Sequence, residues 1–244
     1  MSKEQKIPKI IHYCWFGHGE YDEKIKNCMK TWEEVLPEYK VMRWDEDSFD
    51  LDSCTYVKQA YEKKRWAFVT DYVRFKMLRE YGGIYMDTDM EILKPLDEFL
   101  DNEVFLSFKQ LPKMATNTNH GLSSAVIGAV KGNHYFDPII EQLESRSYLT
   151  EDGQEDVTPI AKYLTDMLYE HGLAADNTLQ KIDGIAIYPN EYLCPTLLSM
   201  ATGEFVITEN TYAVHHYAGS WRTPEIMSML IEKIKNAKDG ENVI

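Results

Sequence analysis

The chain has 244 residues, enough to bury a sizeable core in one domain of enzyme size. With 44% hydrophobic and 27% charged residues it has an ordinary globular composition, and no stretch approaches the roughly 18 uncharged apolar residues a membrane span requires. A formal charge of −14 leaves no basic footprint for nucleic acid, but it allows a small phosphate ligand where a divalent cation inverts the local field. Residues 1–10 lack the apolar core of a signal peptide, so the cytoplasm is the expected location. The four cysteines are scattered without metal-binding spacing and read as reduced, mostly buried thiols.

The β-prone run Lys9-Ile-Ile-His-Tyr-Cys-Trp15, stopped by Gly17 and Gly19, predicts an opening buried strand. A helix over Asp22–Leu36 ends at Pro37, and Lys40–Trp44 gives a second strand, the start of a parallel α/β arrangement. Helix in two pieces is expected from Tyr56 to Tyr81, where Gly82-Gly83 stops it. Strands are expected at Ile84–Met86, Met90–Leu93, Val104–Phe108 and Ala125–Val130, with a polar mobile loop over Leu111–Ser124. Helices at Tyr135–Ser145 and Pro159–His171, strands at Ile185–Tyr188 and Thr211–Tyr217, and an amphipathic helix at Pro224–Ala237 complete the chain. No repeat or flexible linker divides it, so residues 1–244 are expected to form one domain.

Three blocks carry chemistry. In Gly82-Gly-Ile-Tyr-Met-Asp-Thr-Asp89, two carboxylates sit one residue apart at the end of a buried strand. Such hard oxygen ligands suit Mn²⁺ or Mg²⁺, which in turn neutralise a diphosphate leaving group. An Asp-x-Asp triplet alone is more often a solvated turn; the double glycine and apolar run weigh against that. In the helix Trp66–Tyr81, Lys76, Arg79 and Glu80 share a polar face, while Asp71 and Arg74 fall on the other side among apolar residues such as Leu78. Burying that pair is costly unless it is paired or used. Asp71 and Arg74 are therefore either a structural ion pair or the grip on a hydroxyl-rich ligand. Near the C-terminus, Thr211-Tyr-Ala-Val-His-His-Tyr-Ala-Gly-Ser-Trp221 ends a strand in two histidines, read either as a surface pair or as metal-capable groups. Trp15 is either core or a flat face for a nucleotide base.

Taken in order, Ile7–Gly17, Trp66–Arg74, Gly82–Asp89 and His215–Trp221 resemble the sugar-binding-region glycosyltransferases with a DXD motif. That group includes bacterial capsule transferases and initiating α-mannosyltransferases of yeast, and is related to clostridial glucosylating toxins. The resemblance implies an α/β GT-A fold with a mixed, mostly parallel central sheet flanked by helices. It implies a nucleotide-sugar donor (UDP-sugar, with GDP-sugar as the alternative), Mn²⁺ or Mg²⁺, and retention at the anomeric carbon. Carried over by motif, Trp15 and its neighbour Phe16 hold the nucleotide, Asp71 and Arg74 the sugar, and Asp87 the ribose or sugar side and the metal. Asp89 ligates the metal, His216 is a further ligand with His215 as the alternative, and Ser220 and Trp221 contact the diphosphate. Ser123-Ser124 stand where relatives often carry Asn, and neither is given a role.

The function these residues imply is transfer of a hexose to a glycan or lipid-linked acceptor in surface polysaccharide synthesis, with at most peripheral contact at the inner membrane face. A toxin-like transfer to protein and a non-catalytic sugar-nucleotide-binding module are the alternatives. A haloacid-dehalogenase-type phosphatase fits less well, because its Asp-x-Asp-x-Thr/Val motif lies early in the chain and here Asp-Thr-Asp-Met-Glu lies in the middle.

Overall fold

A computed structural model describes residues 5–110, 120–199, 204–219, 224–225 and 228. In chain order the elements are β1 (Ile10–Cys14), α1 (Glu23–Val35), β2 (Lys40–Trp44), α2 (Thr55–Glu62), α3 (Trp66–Tyr81), β3 (Gly83–Met86) and β4 (Met90–Ile92). Then come β5 (Val104–Gln110), β6 (His120–Leu122), β7 (Val126–Ala129), α4 (Asp137–Glu144), α5 (Ile160–Glu170), β8 (Gln180–Ile182) and β9 (Ile185–Tyr188). The last are α6 (Asn190–Leu193), β10 (Leu197–Ser199), β11 (Glu204–Phe205) and β12 (Ala213–His215).

The central sheet runs β2-β1-β3-β7-β5-β9-β8, with β6 paired to β5. β2, β1, β3, β5 and β9 point one way, because β1 is parallel to β2 and β3, β5 is parallel to β9, and β7 is antiparallel to both β3 and β5. This is the mixed, mostly parallel α/β sheet expected for the GT-A fold. Alternation along the strands builds a core on each face. Tyr85, Leu106 and Ile127 pack with α2, α3, α4 and α5, whereas Ile84, Met86 and Phe105 pack with Trp32 of α1, Met90 of β4 and Ala213 of β12.

The join from α3 to β3 demands its glycines. Gly82 (φ +66°) closes the helix with its N–H on Leu78 O, and a Cβ there would lie 2.4 Å from Lys131 N. A Cβ on Gly83 (φ +109°) would lie 2.6 Å from Ile10 O. The carbonyl of Gly82 is met by Nε2 of the fully buried His12 at 2.8 Å, while Trp44 Nε1 donates to His12 Nδ1 at 3.1 Å. The tryptophan N–H makes Nδ1 the acceptor, so the imidazole is neutral and donates from Nε2. Burial pushes its pKa down, which agrees with that form.

Two expectations are revised. The polar segment over Leu111–Ser124 is not loop throughout: His120–Leu122 form β6, paired antiparallel with β5 (Phe108↔Leu122). β8, β10, β11 and α6 were not expected, being too short to show a period. Of the expected C-terminal helix, residues 224, 225 and 228 are helical and the remainder lies outside the described residues.

Candidate functional site

The C-terminal ends of β1 and β3 lie side by side, where ligands of open α/β sheets settle. Past Met86 the backbone stays tied to β7 through Asp87 N–H on Ala125 O (2.8 Å), then turns, with Met90 N–H on Asp87 O (3.1 Å). α1 pins the far side of this turn: Trp32 Nε1 donates to Met90 O at 2.7 Å, and Ile92 N–H donates to Thr31 Oγ1 at 2.8 Å. Asp87 and Asp89 are thus held on a braced turn. β12 pairs antiparallel with β4 (His215↔Met90), which carries His215 to the same place.

Asp87, Asp89 and His215 each offer a ligand atom, all within 4.8 Å of one another. His215 Nε2 lies 3.3 Å from Asp89 Oδ1 and 4.0 Å from Asp87 Oδ2. Asp89 Oδ2 also accepts the Ala218 N–H at 2.7 Å. Burial raises the carboxyl of Asp89, but donation from His215 and Ala218 outweighs it and brings the pKa down to about 2. Burial lowers His215, and Asp89 together with the neighbouring Cys194 thiol reverses this, up to about 10. The histidine expected among the ligands, His216, is instead turned away, with Nε2 2.7 Å from Glu91 Oε2. Successive side chains at a strand end face opposite ways, so only one of the two reaches the aspartates, and it is His215.

α3 supplies the second group. Arg74 and Asp71 are only 5% and 7% exposed, and Arg74 Nη2 donates to Asp71 Oδ1 at 2.8 Å. Arg74 Nη1 donates to Ser124 O at 2.6 Å and reaches Asp87 Oδ1 at 3.5 Å. Its guanidinium lies over the Tyr85 ring, 4.5 Å from the centroid, and Tyr85 OH donates to Asp87 Oδ1 at 2.6 Å. One chain of contacts therefore runs from Asp71 through Arg74 to the aspartate pair. Burial dominates at Asp71 and pushes its pKa up to about 7 against the pull of Arg74. Burial opposes the charge on Arg74, but Tyr85, Asp87 and Asp71 keep its pKa above the ordinary value.

These groups line one cleft of about 510 Å³ together with Trp15, Phe16 and Trp66. Trp15 Nε1 donates to Gly19 O at 2.6 Å, and its ring meets Tyr21 with centroids 4.6 Å apart. Of the residues singled out in the sequence, Trp15, Phe16, Asp71, Arg74, Asp87, Asp89 and His215 share the cleft. His216 does not. Ser220 and Trp221 lie outside the described residues. Sequence reasoning passed over Tyr85, although its position two residues before Asp87 on a strand puts both on one face. It also passed over Lys109, a cleft-lining cation at the end of β5, and Tyr217, whose ring lies 4.3 Å from that of His215.

The family model described as glycosyltransferase sugar-binding region containing DXD motif matches residues 22–106, which run from α1 through β4 into the start of β5 and include both aspartates. The chain is a glycosyltransferase carrying that DXD-type region. Among its relatives, an uncharacterized glycosyltransferase, L373, of Acanthamoeba polyphaga mimivirus is 25% identical over 228 residues, 88% of this chain and 84% of that protein. Inositol phosphoceramide mannosyltransferase 3 of Schizosaccharomyces pombe is 29% identical over 151 residues, 58% of this chain, and the match spans only 38% of that protein's length. A solved structure, the PaToxG glycosyltransferase, aligns at a TM-score of 0.48 with 20% identity, over 67% of this chain and 69% of that one.

Proposed function

We propose that residues 1–244 work as one metal-dependent, retaining glycosyltransferase domain, moving a hexose from a nucleoside-diphosphate sugar to a glycan or lipid-linked acceptor. The observation that carries this reading is the meeting of Asp87, Asp89 and His215 in the cleft that also holds Trp15, Asp71 and Arg74. Two carboxylates and an imidazole suit a divalent cation such as Mn²⁺, with Mg²⁺ the alternative. When bound, the cation neutralises the donor diphosphate and stabilises it as a leaving group.

The protein's own part is positioning. Trp15 offers an aromatic face to the nucleobase, of UDP in the preferred reading and GDP in the alternative. Arg74 is fixed by Asp71, Ser124 O and Tyr85 before any ligand arrives, so it donates to sugar hydroxyls with little ordering cost, and Asp71 accepts from them. The acceptor hydroxyl approaches the face from which the diphosphate leaves. The bond from the anomeric carbon to the diphosphate oxygen breaks, the bond to the acceptor oxygen forms, and the departing diphosphate takes the hydroxyl proton. Catalysis is then orientation plus electrostatic stabilisation of the leaving group.

The names of the matched Schizosaccharomyces pombe proteins, inositol phosphoceramide mannosyltransferases, support a lipid-linked acceptor and a mannosyl-type donor. We place the reaction in surface-glycan synthesis, in the cytoplasm and against the inner membrane face. Among the described residues no helix is long and apolar enough to cross a membrane. The test is D89A. Mn²⁺-dependent donor hydrolysis should fall by more than about 100-fold, since even hydrogen-bond partners of metal ligands are worth roughly 10–100-fold. Unchanged hydrolysis in a folded variant rejects the assignment.

A further inference from the structure

We infer that Glu46, which belongs to none of the four sequence blocks, is the positioning residue of the cleft wall on which the donor nucleoside lies; this rests on the proposed sugar-nucleotide donor. Glu46 comes just after β2 and stands behind the Trp15–Gly19 turn. Its Oε1 accepts the Gly17 N–H at 2.5 Å and the Tyr61 hydroxyl at 3.2 Å. Gly17 (φ +91°) is pressed against Trp66 so closely that a Cβ would lie 2.5 Å from its ring, and Gly17, Gly19, Trp15 and Trp66 all line the cleft. The carboxylate therefore holds the Gly17 backbone against the Trp66 ring, and Trp15 is fixed to the same turn through Gly19 O.

The side chain is only 9% exposed, and its sole basic neighbour within 4 Å among the described residues is His18, 3.9 Å away and 68% exposed. Its Oε2 is buried with no hydrogen-bond partner among the described residues. A carboxylate buried without a full set of partners is costly, and a neutral residue would fill the space at less expense. What the charge adds is a charge-assisted hydrogen bond to a backbone N–H, about twice as strong as a neutral one, at the point where the wall must hold its shape.

The experiment compares E46A, E46D and E46Q by calorimetry with UDP, GDP and pyrophosphate, each with Mn²⁺, and by donor kinetics. E46A should weaken binding of the preferred nucleoside diphosphate at least tenfold and raise donor KM in step. Pyrophosphate affinity should stay within twofold and kcat within threefold. E46Q, which keeps an oxygen facing Gly17 N but gives up the charge, should recover only part of the loss. E46D draws the carboxylate back by about one carbon–carbon bond, ~1.5 Å; it should show the same selective loss and decides the matter if E46A does not fold. Equal loss of pyrophosphate and nucleoside diphosphate, or loss of neither, overturns the inference while leaving the donor reading intact. A wild-type protein that binds pyrophosphate but neither nucleoside diphosphate overturns both.

Discussion

A cation ligated by His215 would have to displace the proton that the neighbouring Asp89 carboxylate favours on the imidazole. In the structure the Asp89 carboxylate holds the imidazole protonated well above its ordinary pH range, up to about 10, whereas a histidine ligand binds metal as the neutral base. If His215 is a ligand, Mn²⁺ affinity should rise about tenfold per pH unit between pH 6 and 8, because one proton leaves per ion bound. Titration calorimetry in buffers of different ionisation enthalpy measures both the slope and the proton count. A flat profile would leave the ion to the two carboxylates and return His215 to a supporting place. The sequence limited the choice to His215 and His216 but could not fix the phase of a strand at its last residue. The three-dimensional pairing of β12 with β4 decides which of the two faces the aspartates. Tyr85 escaped notice for a different reason: a tyrosine in an apolar strand looks like core, and only the folded chain places its ring under Arg74 and its hydroxyl on Asp87.

Among the elements, β3 depends on a support that the motif itself does not contain. His12 on β1 links Trp44 on β2 to the Gly82 carbonyl at the head of β3. Replacing it by Phe keeps the bulk but leaves a buried indole N–H and a buried carbonyl without partners, at about 1–3 kcal/mol each. For a chain of this length that corresponds to a fall in Tm of roughly 5–20 °C. Because burial holds His12 neutral, with its pKa below the ordinary 6.5, the unfolded chain binds the extra proton on acidification. The stability this residue contributes is thus present above about pH 6.5 and fades as the pH falls below it. H12F should be less stable than wild type at pH 8, with the gap narrowing towards pH 5; a thermal melt showing no difference at pH 8 would contradict the arrangement. Long periodic elements and those bounded by glycine were legible, α3 and β3 above all. The three-residue β6 was not, since it is held by its pairing to β5 across a polar segment rather than by any local pattern.

On the scale of the whole molecule, four separated blocks of sequence had to converge for the functional reading to stand. The described parts of all four do: Trp15 and Phe16, Asp71 and Arg74, Asp87 and Asp89, and His215 line one cleft. For two of the blocks the strands explain it, because parallel β1 and β3 carry Trp15 and the aspartates to one edge of the sheet, whereas α3 and the antiparallel β12 bring the other two. What the blocks could not indicate was the wall behind the cleft, where Glu46 and Tyr61 come from elements with no motif of their own. In the proposed reading a divalent cation would also give an acidic protein its means of holding a diphosphate, since Asp87 and Asp89 would otherwise repel it. The most direct measurement is therefore a thermal-shift screen of UDP- and GDP-sugars against wild type and D89A, each with and without Mn²⁺. At about 100 times its Kd a ligand specific for the native state adds about 2.7 kcal/mol, which for this length is a rise of roughly 5–10 °C in Tm. One sugar nucleotide should stabilise the wild-type protein by that amount only when Mn²⁺ is present, and should leave D89A unmoved. A shift that ignores Mn²⁺, or that persists in D89A, would contradict the account.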